Sequence, residues 1–327
     1  DKDTASLIPH CDVYVACGGT FDVKSQGYAA GRTFPEVTYT TGAPTSHGGR
    51  GGSYTAIQTP FGSLWNPREP GAGSFSNHSG GGAVSIVSGG AVVIDGRIDV
   101  GTFQTSGTNA GPGSIHLEGS SVAGLGTLWA AGANGGEFTP SGGRIALVGD
   151  SVDEGLIARS FAHGGRAFSN SFCFGDRCGG AAGTLYVKRA GQSFGDLILD
   201  NDGNLTQEKI DVTELLPIGQ GTIESLTVDS ITDDQAAFPY GLAGAYVALN
   251  GDTSKLWKIV SNDHLGKTLR LDVSSEPLTA QVGDSYRGVY RFDNVILQGN
   301  AHLMTRDLLS TTTPPVVGAG STVRSDH

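Results

Sequence analysis

His47 and Arg50 in "SHGGRGG", and His163 and Arg166 in "AHGGRAF", are the residues best suited to do chemistry. The chain has only 8 His, yet it writes His-Gly-Gly-Arg twice. A groove holding both copies would offer two guanidiniums, whose planar forks match carboxylates, and two imidazoles able to act as a base. That set suits a polysaccharide lyase or glycoside hydrolase working on uronate sugars. The competing reading is architectural: Gly-Gly forms a tight corner of a repeated unit, and Arg lays its stem over the next one.

Other candidates are thinner. Asp200, Asp202 and Asn204 in "DNDGN" occupy positions one, three and five of a calcium loop, but position six is Leu205 and no Glu follows at twelve. They are weak Ca²⁺ candidates, and the sequence points to no other cofactor. Asp150, Asp153 and Glu154 could join a cation site or form a solvated turn. Tyr39, Tyr54 and Trp65, with Phe61 and Phe75, could stack on sugar rings or form a small core of their own. The G-x-S-x-G and phosphate-loop patterns lack the strand–turn–helix setting they need. Cys11/Cys17 and Cys173/Cys178 form two close pairs without a C-x-x-C, which predicts local disulfides and an oxidising compartment. Asn77 and Asn204 begin glycosylation sequons.

The elements that would carry these residues follow from a repeat. Segments opening at Gly82, Gly113, Gly143 and Gly183 share one pattern, at spacings of 31, 30 and 40 residues. Each alternates apolar residues after its Gly: Val84/Ile86, Ile115/Leu117, Ile145/Leu147 and Leu185/Val187. Alternation is the signal of a strand with one buried face. A second apolar pulse and a Gly- or Asn-rich corner follow. This predicts an all-β chain, a right-handed parallel β-helix with coils of ~30 residues. Ile115, Ile145 and Leu185 should then stack in successive coils.

Boundaries follow from the same pattern. Residues 1–230 read as the solenoid, with 28–80 as a lateral loop. Residues 231–289 read as a small inserted β-barrel-like domain, in which Trp257/Ile259 and Leu269/Leu271 form a hairpin. Residues 290–312 read as a last coil and 313–327 as a linker. "LTQEKIDVTELL" (205–216) is the one expected helix.

Gly supplies 52 of 327 residues, about twice its usual share, but without a Gly-x-y period, so collagen is excluded. The net charge of −11 argues against nucleic acid and anionic membranes as partners. No apolar run approaches the ~20 residues that span a bilayer. The chain starts at Asp1 and its one Met is Met304, so it is expected to be a processed chain or part of a longer one.

"SHGGRGG", "GGGAVSIV…DGRIDV", "GTLWAAGANGG…SGGRIALV" and "GTLYVKRAGQSFGDLILDN" resemble the Gly-rich repeats of large secreted or surface-displayed bacterial proteins. "GAYVALN…WKIVSND…VGDSYRGVY" resembles the small β module interleaved with them. The resemblance implies a secreted or cell-surface scaffold or adhesin, with polysaccharide or other cell-surface components as partners. It brings no catalytic residue. The favoured reading is non-enzymatic, and the lyase or hydrolase is the alternative.

Overall fold

A computed structural model of the chain describes residues 5–35, 37–39, 45–52, 58–75, 77–103, 110–135, 139–167, 179–263 and 265–325. Over these residues the fold is all-β, and the single helix is the short Glu154–Ala158. Its N-cap is Asp153, whose carboxylate accepts from the Leu156 amide. The expected helix at 205–216 does not form. There Asp211 accepts from the Gln207 amide to close a turn, and Thr213–Glu214 pairs as a strand with His302–Thr305. β-Branched Ile210, Val212 and Thr213 favour that outcome.

Parallel ladders build the first region. Ala5–Leu7, Ala83–Val87, Ser114–Ala123, Arg144–Val152 and Thr184–Lys188 run side by side in that order. Ile115 faces Ile145, and Ile145 faces Leu185, so the predicted apolar row is present. A second ladder joins Val13–Val15, Ala91–Ile94 and the end of Ser114–Ala123. A third joins Thr20–Asp22, Arg97–Asp99, Thr127–Trp129 and Ser160–Phe161. Ile86, Ile94, Ile98, Ile115, Leu117, Leu128, Ile145 and Leu147 fill the space between them and are almost fully buried. Each such side chain contributes roughly 1.5–3 kcal/mol by leaving water.

The stack does not continue in one direction. Asp196–Asp200 turns back antiparallel on Thr184–Lys188, where the sequence pattern suggests the second half of a coil. Two glycines make the reversal: Gly191 at φ 82° and Gly195 at φ 77°. The Tyr186 hydroxyl donates to the Phe194 carbonyl across the turn at 2.9 Å. From Asp196 a new parallel set begins: Asp196–Asp200, Asn294–Gln298 and Val316–Val317. His302–Thr305 and Thr322–Ser325 pair parallel in a separate sheet with Thr213–Glu214. Residues 313–327, expected as a linker, thus include two paired strands.

An antiparallel sheet occupies the gap between Asp200 and Asn294. Tyr246–Leu249, Asp252–Asp263 and Thr268–Leu271 form its centre, with Ile259 opposite Leu271 in the expected hairpin. The sheet is wider than the repeat pattern implies. Gln220–Thr222 pairs with Ser285–Phe292, and Ser225–Leu226 and Ser230–Thr232 close the other edge. "GTIESLTV" is therefore part of this sheet and not a coil. One apolar cluster runs through both regions: Ala146, Tyr186, Leu197 and Leu199 from the ladders, with Val247, Trp257, Ile259 and Phe292 from the sheet.

Candidate functional site

The two His-Gly-Gly-Arg copies are linked inside the fold, through the intervening segments 139–143 and 179–183. The Gly48 amide donates to Gly142, the Gly142 amide to Ala181, the Gly180 amide to Gly165, and the Gly165 amide to Pro140. Segments 46–52, 139–143, 163–166 and 179–183 thus form one largely buried, hydrogen-bonded bundle of chains. Glycine is required because the backbones touch. A Cβ on Gly48 would lie 2.3 Å from the Gly143 carbonyl oxygen, and one on Gly164 would lie 2.0 Å from that of Gly180.

The motif side chains are spent on this architecture. His47 is fully buried, stacked on Phe61 at 4.6 Å, with Nδ1 2.7 Å from the Pro112 carbonyl oxygen. Burial, and then the Arg144 charge, pull its pKa down to about 3, so it is neutral. Arg144 lies beside it and donates to the carbonyls of Phe61 and His47. Arg50 pairs with Glu214 at 2.6 Å. His163 lies edge-on to Trp129 at 5.7 Å, and Arg166 donates to the Asn204 side chain at 3.0 Å. The four do not form the uronate groove that their types suggest.

Asn204 is 2% exposed, and its amide also donates to the Gly164 carbonyl. Both ends of its side-chain amide are used within the bundle, and its sequon is sealed. Asp200 accepts from the Asp202 amide and from the Gln298 side chain. Among the described residues no group of three or more His, Cys, Asp or Glu could hold a metal. Cys11 and Cys17 are both free and exposed, against the expected disulfide. The extended strand Val13–Val15, paired to Ala91–Ile94, separates them, whereas a disulfide needs Cα atoms within about 7 Å. Cys173, Cys178 and Tyr54 lie outside the described residues. Tyr39 is half-buried and does not join the cavity described next.

That cavity, about 240 Å³, opens where the ladders meet the antiparallel sheet, and Trp65 lines it. Its floor is set by strand register. His116, Ala146 and Tyr186 form one cross-strand row, and Glu118, Val148 and Lys188 the next. These are the alternates of the buried Ile115/Ile145/Leu185 row, so they point to the opposite face. Tyr246, Lys258 and Arg291 come from the sheet, and Phe194 from the reversal turn. Trp65 stacks against Tyr290 at 5.7 Å, and Gly244 leaves the space its ring needs.

Cations dominate the lining. The Arg291 guanidinium lies 3.9 Å from the Phe194 ring centre, and its buried Nε has no hydrogen-bond partner. Phe194 and Tyr246 meet edge to face at 5.8 Å. The Lys188 ammonium donates to the Ser193 carbonyl; burial and then the charge of Lys258 lower its pKa. Burial, and then Arg68, pull the His116 pKa down to about 4, so this imidazole is neutral. Glu118 is the one carboxylate in the lining, 3.6 Å from His116.

Sequence reasoning found Trp65 and missed the rest. The signal was there: the alignment that stacks Ile115 on Ile145 also stacks His116, Glu118 and Lys188 on the other face. No described helix is long and apolar enough to cross a membrane. Comparison with protein-family models, with curated proteins and with solved structures finds no match for this chain.

Proposed function

We propose that this chain is a non-enzymatic scaffold of a secreted or cell-surface protein, and that the cavity at its seam binds a glycan. In this reading the parallel ladders of residues 5–188 are a short β-helix, and the antiparallel sheet is an inserted module that walls the cavity. The observation that carries the binding role is the make-up of the cavity. Aromatic rings from three separate segments converge with hydrogen-bond donors on a floor fixed by strand register. Rings give flat apolar faces for sugars, and donors orient the hydroxyls. The acidic overall charge and the Gly-rich repeats support the extracellular setting.

A glycan array tests the reading, with Phe194→Ala as the comparison. The wild type is expected to retain a subset of glycans that Phe194→Ala, with an unchanged melting temperature, does not. Retention of no glycan, or equal retention by both, would refute the binding role.

A further inference from the structure

We infer that the seam cavity takes the negatively charged residue of an acidic polysaccharide, a sugar bearing a carboxylate or sulfate group. This rests on the glycan reading above and adds the class of sugar. The first ground is local charge. The protein carries a net charge of −11, yet Lys188, Lys258 and Arg291 face Glu118 alone across this lining. A concentration of cations on an acidic molecule focuses field into the cleft and attracts anions there.

The second ground is that none of the three cations is within ion-pair distance of a carboxylate among the described residues, although Lys188 donates to the Ser193 carbonyl and the charges of Asp293 and Asp272 act on Lys188 and Lys258 from farther off. Glu118 is turned toward His116, and its side chain is 48% exposed. The nearby Asp293 accepts from the amides of Phe194 and Gly195 and from the Thr312 hydroxyl, so it is already occupied in holding the turn. The third ground is Arg291. Its guanidinium is fixed in plane by Phe194, and its buried Nε is an unused donor. A planar guanidinium with a donor still unused suits a two-oxygen acceptor. Lys188 and Lys258 repel each other, and an anion between them removes that cost. A neutral sugar would meet none of this unbalanced charge.

The test is titration of the whole chain with four polymers: polygalacturonate, carboxyl-reduced polygalacturonate, dextran sulfate and dextran. Binding of polygalacturonate or dextran sulfate is expected, with on the order of tenfold weaker binding of its neutral counterpart. The acidic polymer that binds identifies the anion. Added salt should weaken binding. Lys258→Gln should cost a similar factor, and Arg291→Lys should weaken binding although it keeps the charge. Arg270→Gln, at an exposed ion pair with Asp229, should change nothing. Should Arg291→Lys fail to fold, Lys258→Gln alone decides. Equal binding of acidic and neutral polymers would overturn the inference and leave the glycan reading standing. Binding of none of the four here, with no retention on the glycan array, would overturn both.

Discussion

In the parallel ladders of residues 5–188 the corners close backbone against backbone, while in the antiparallel sheet of 220–292 rings fill the interior. The first 200 residues hold 40 of the 52 Gly, and the remaining 127 hold 12. Gly81, Gly113, Gly142 and Gly183 each sit where a Cβ would come within 2 Å of a carbonyl oxygen. The sheet instead buries Phe238, Trp257, Tyr286, Tyr290 and Phe292. The contrast explains why the buried glycine-rich runs of this chain do not mark surface loops. The glycine segments lie outside the regular sheets, yet their amides are paired and they are buried. The seam cavity forms where the two packing styles meet, because rigid walls of different origin do not close fully on each other.

The comparison breaks most visibly if the sheet is removed. Replacing 232–288 by a short Gly-Ser linker should abolish cooperative unfolding of what remains, because the cluster around Tyr186, Leu197 and Leu199 loses Val247, Trp257 and Ile259. A retained cooperative melt would make the sheet an independent domain. Next comes Gly142→Val. The Cβ alone would lie 1.7 Å from the Ala162 carbonyl oxygen, so a loss of more than about 3 kcal/mol is expected in urea unfolding. A variant within 1 kcal/mol of wild type would mean that the bundle is not tightly packed.

How much of this was legible in the sequence depends on which atoms carry the packing. Side-chain alternation gave the strands, the Ile115–Ile145–Leu185 row and the 257–271 hairpin, because burial acts on side chains. The reversal at 189–195 was not legible. "GTLYVKRAGQSFGDLILDN" alternates as a coil would, and only the positive φ of Gly191 and Gly195 turns it back. The glycine bundle was legible only in part: a packed Gly-Gly corner was one reading of the motif, but backbone packing leaves no apolar pattern to show that 46–52, inside the stretch read as a lateral loop, is largely buried. The cavity was half legible, since its floor lies one residue out of phase with the core row.

A smaller effect separates the regions by pH. His47 and His116 hold pKa values of about 3 and about 4, below the ordinary 6.5. The unfolded chain therefore binds protons that the folded chain refuses between those values. Stability is full above about 6.5 and falls as pH drops toward 4, by up to about 1.4 kcal/mol per pH unit for each histidine. Urea midpoints at pH 7 and pH 5 check this, and His116→Gln should flatten the slope. A midpoint independent of pH would show both imidazoles to be accessible. The smallest expected change is Gly191→Ala. Its Cβ meets nothing within 4 Å, so only the positive φ opposes it, at about 1 kcal/mol. A cost as large as that of Gly142→Val would show that glycine is needed here for more than its backbone angle.

Amide hydrogen exchange tests the central claim most directly, that the glycine-rich segments are paired interior and not surface loops. The amides of Gly48, Gly132, Gly142, Gly165 and Gly180 each donate to a backbone carbonyl. They should be protected to the same degree as the ladder amides of Ile115 and Ile145, and should exchange only with global unfolding. Exchange of these glycines within seconds, while the ladders stay protected, would contradict the account and return the His-Gly-Gly-Arg motifs to the surface.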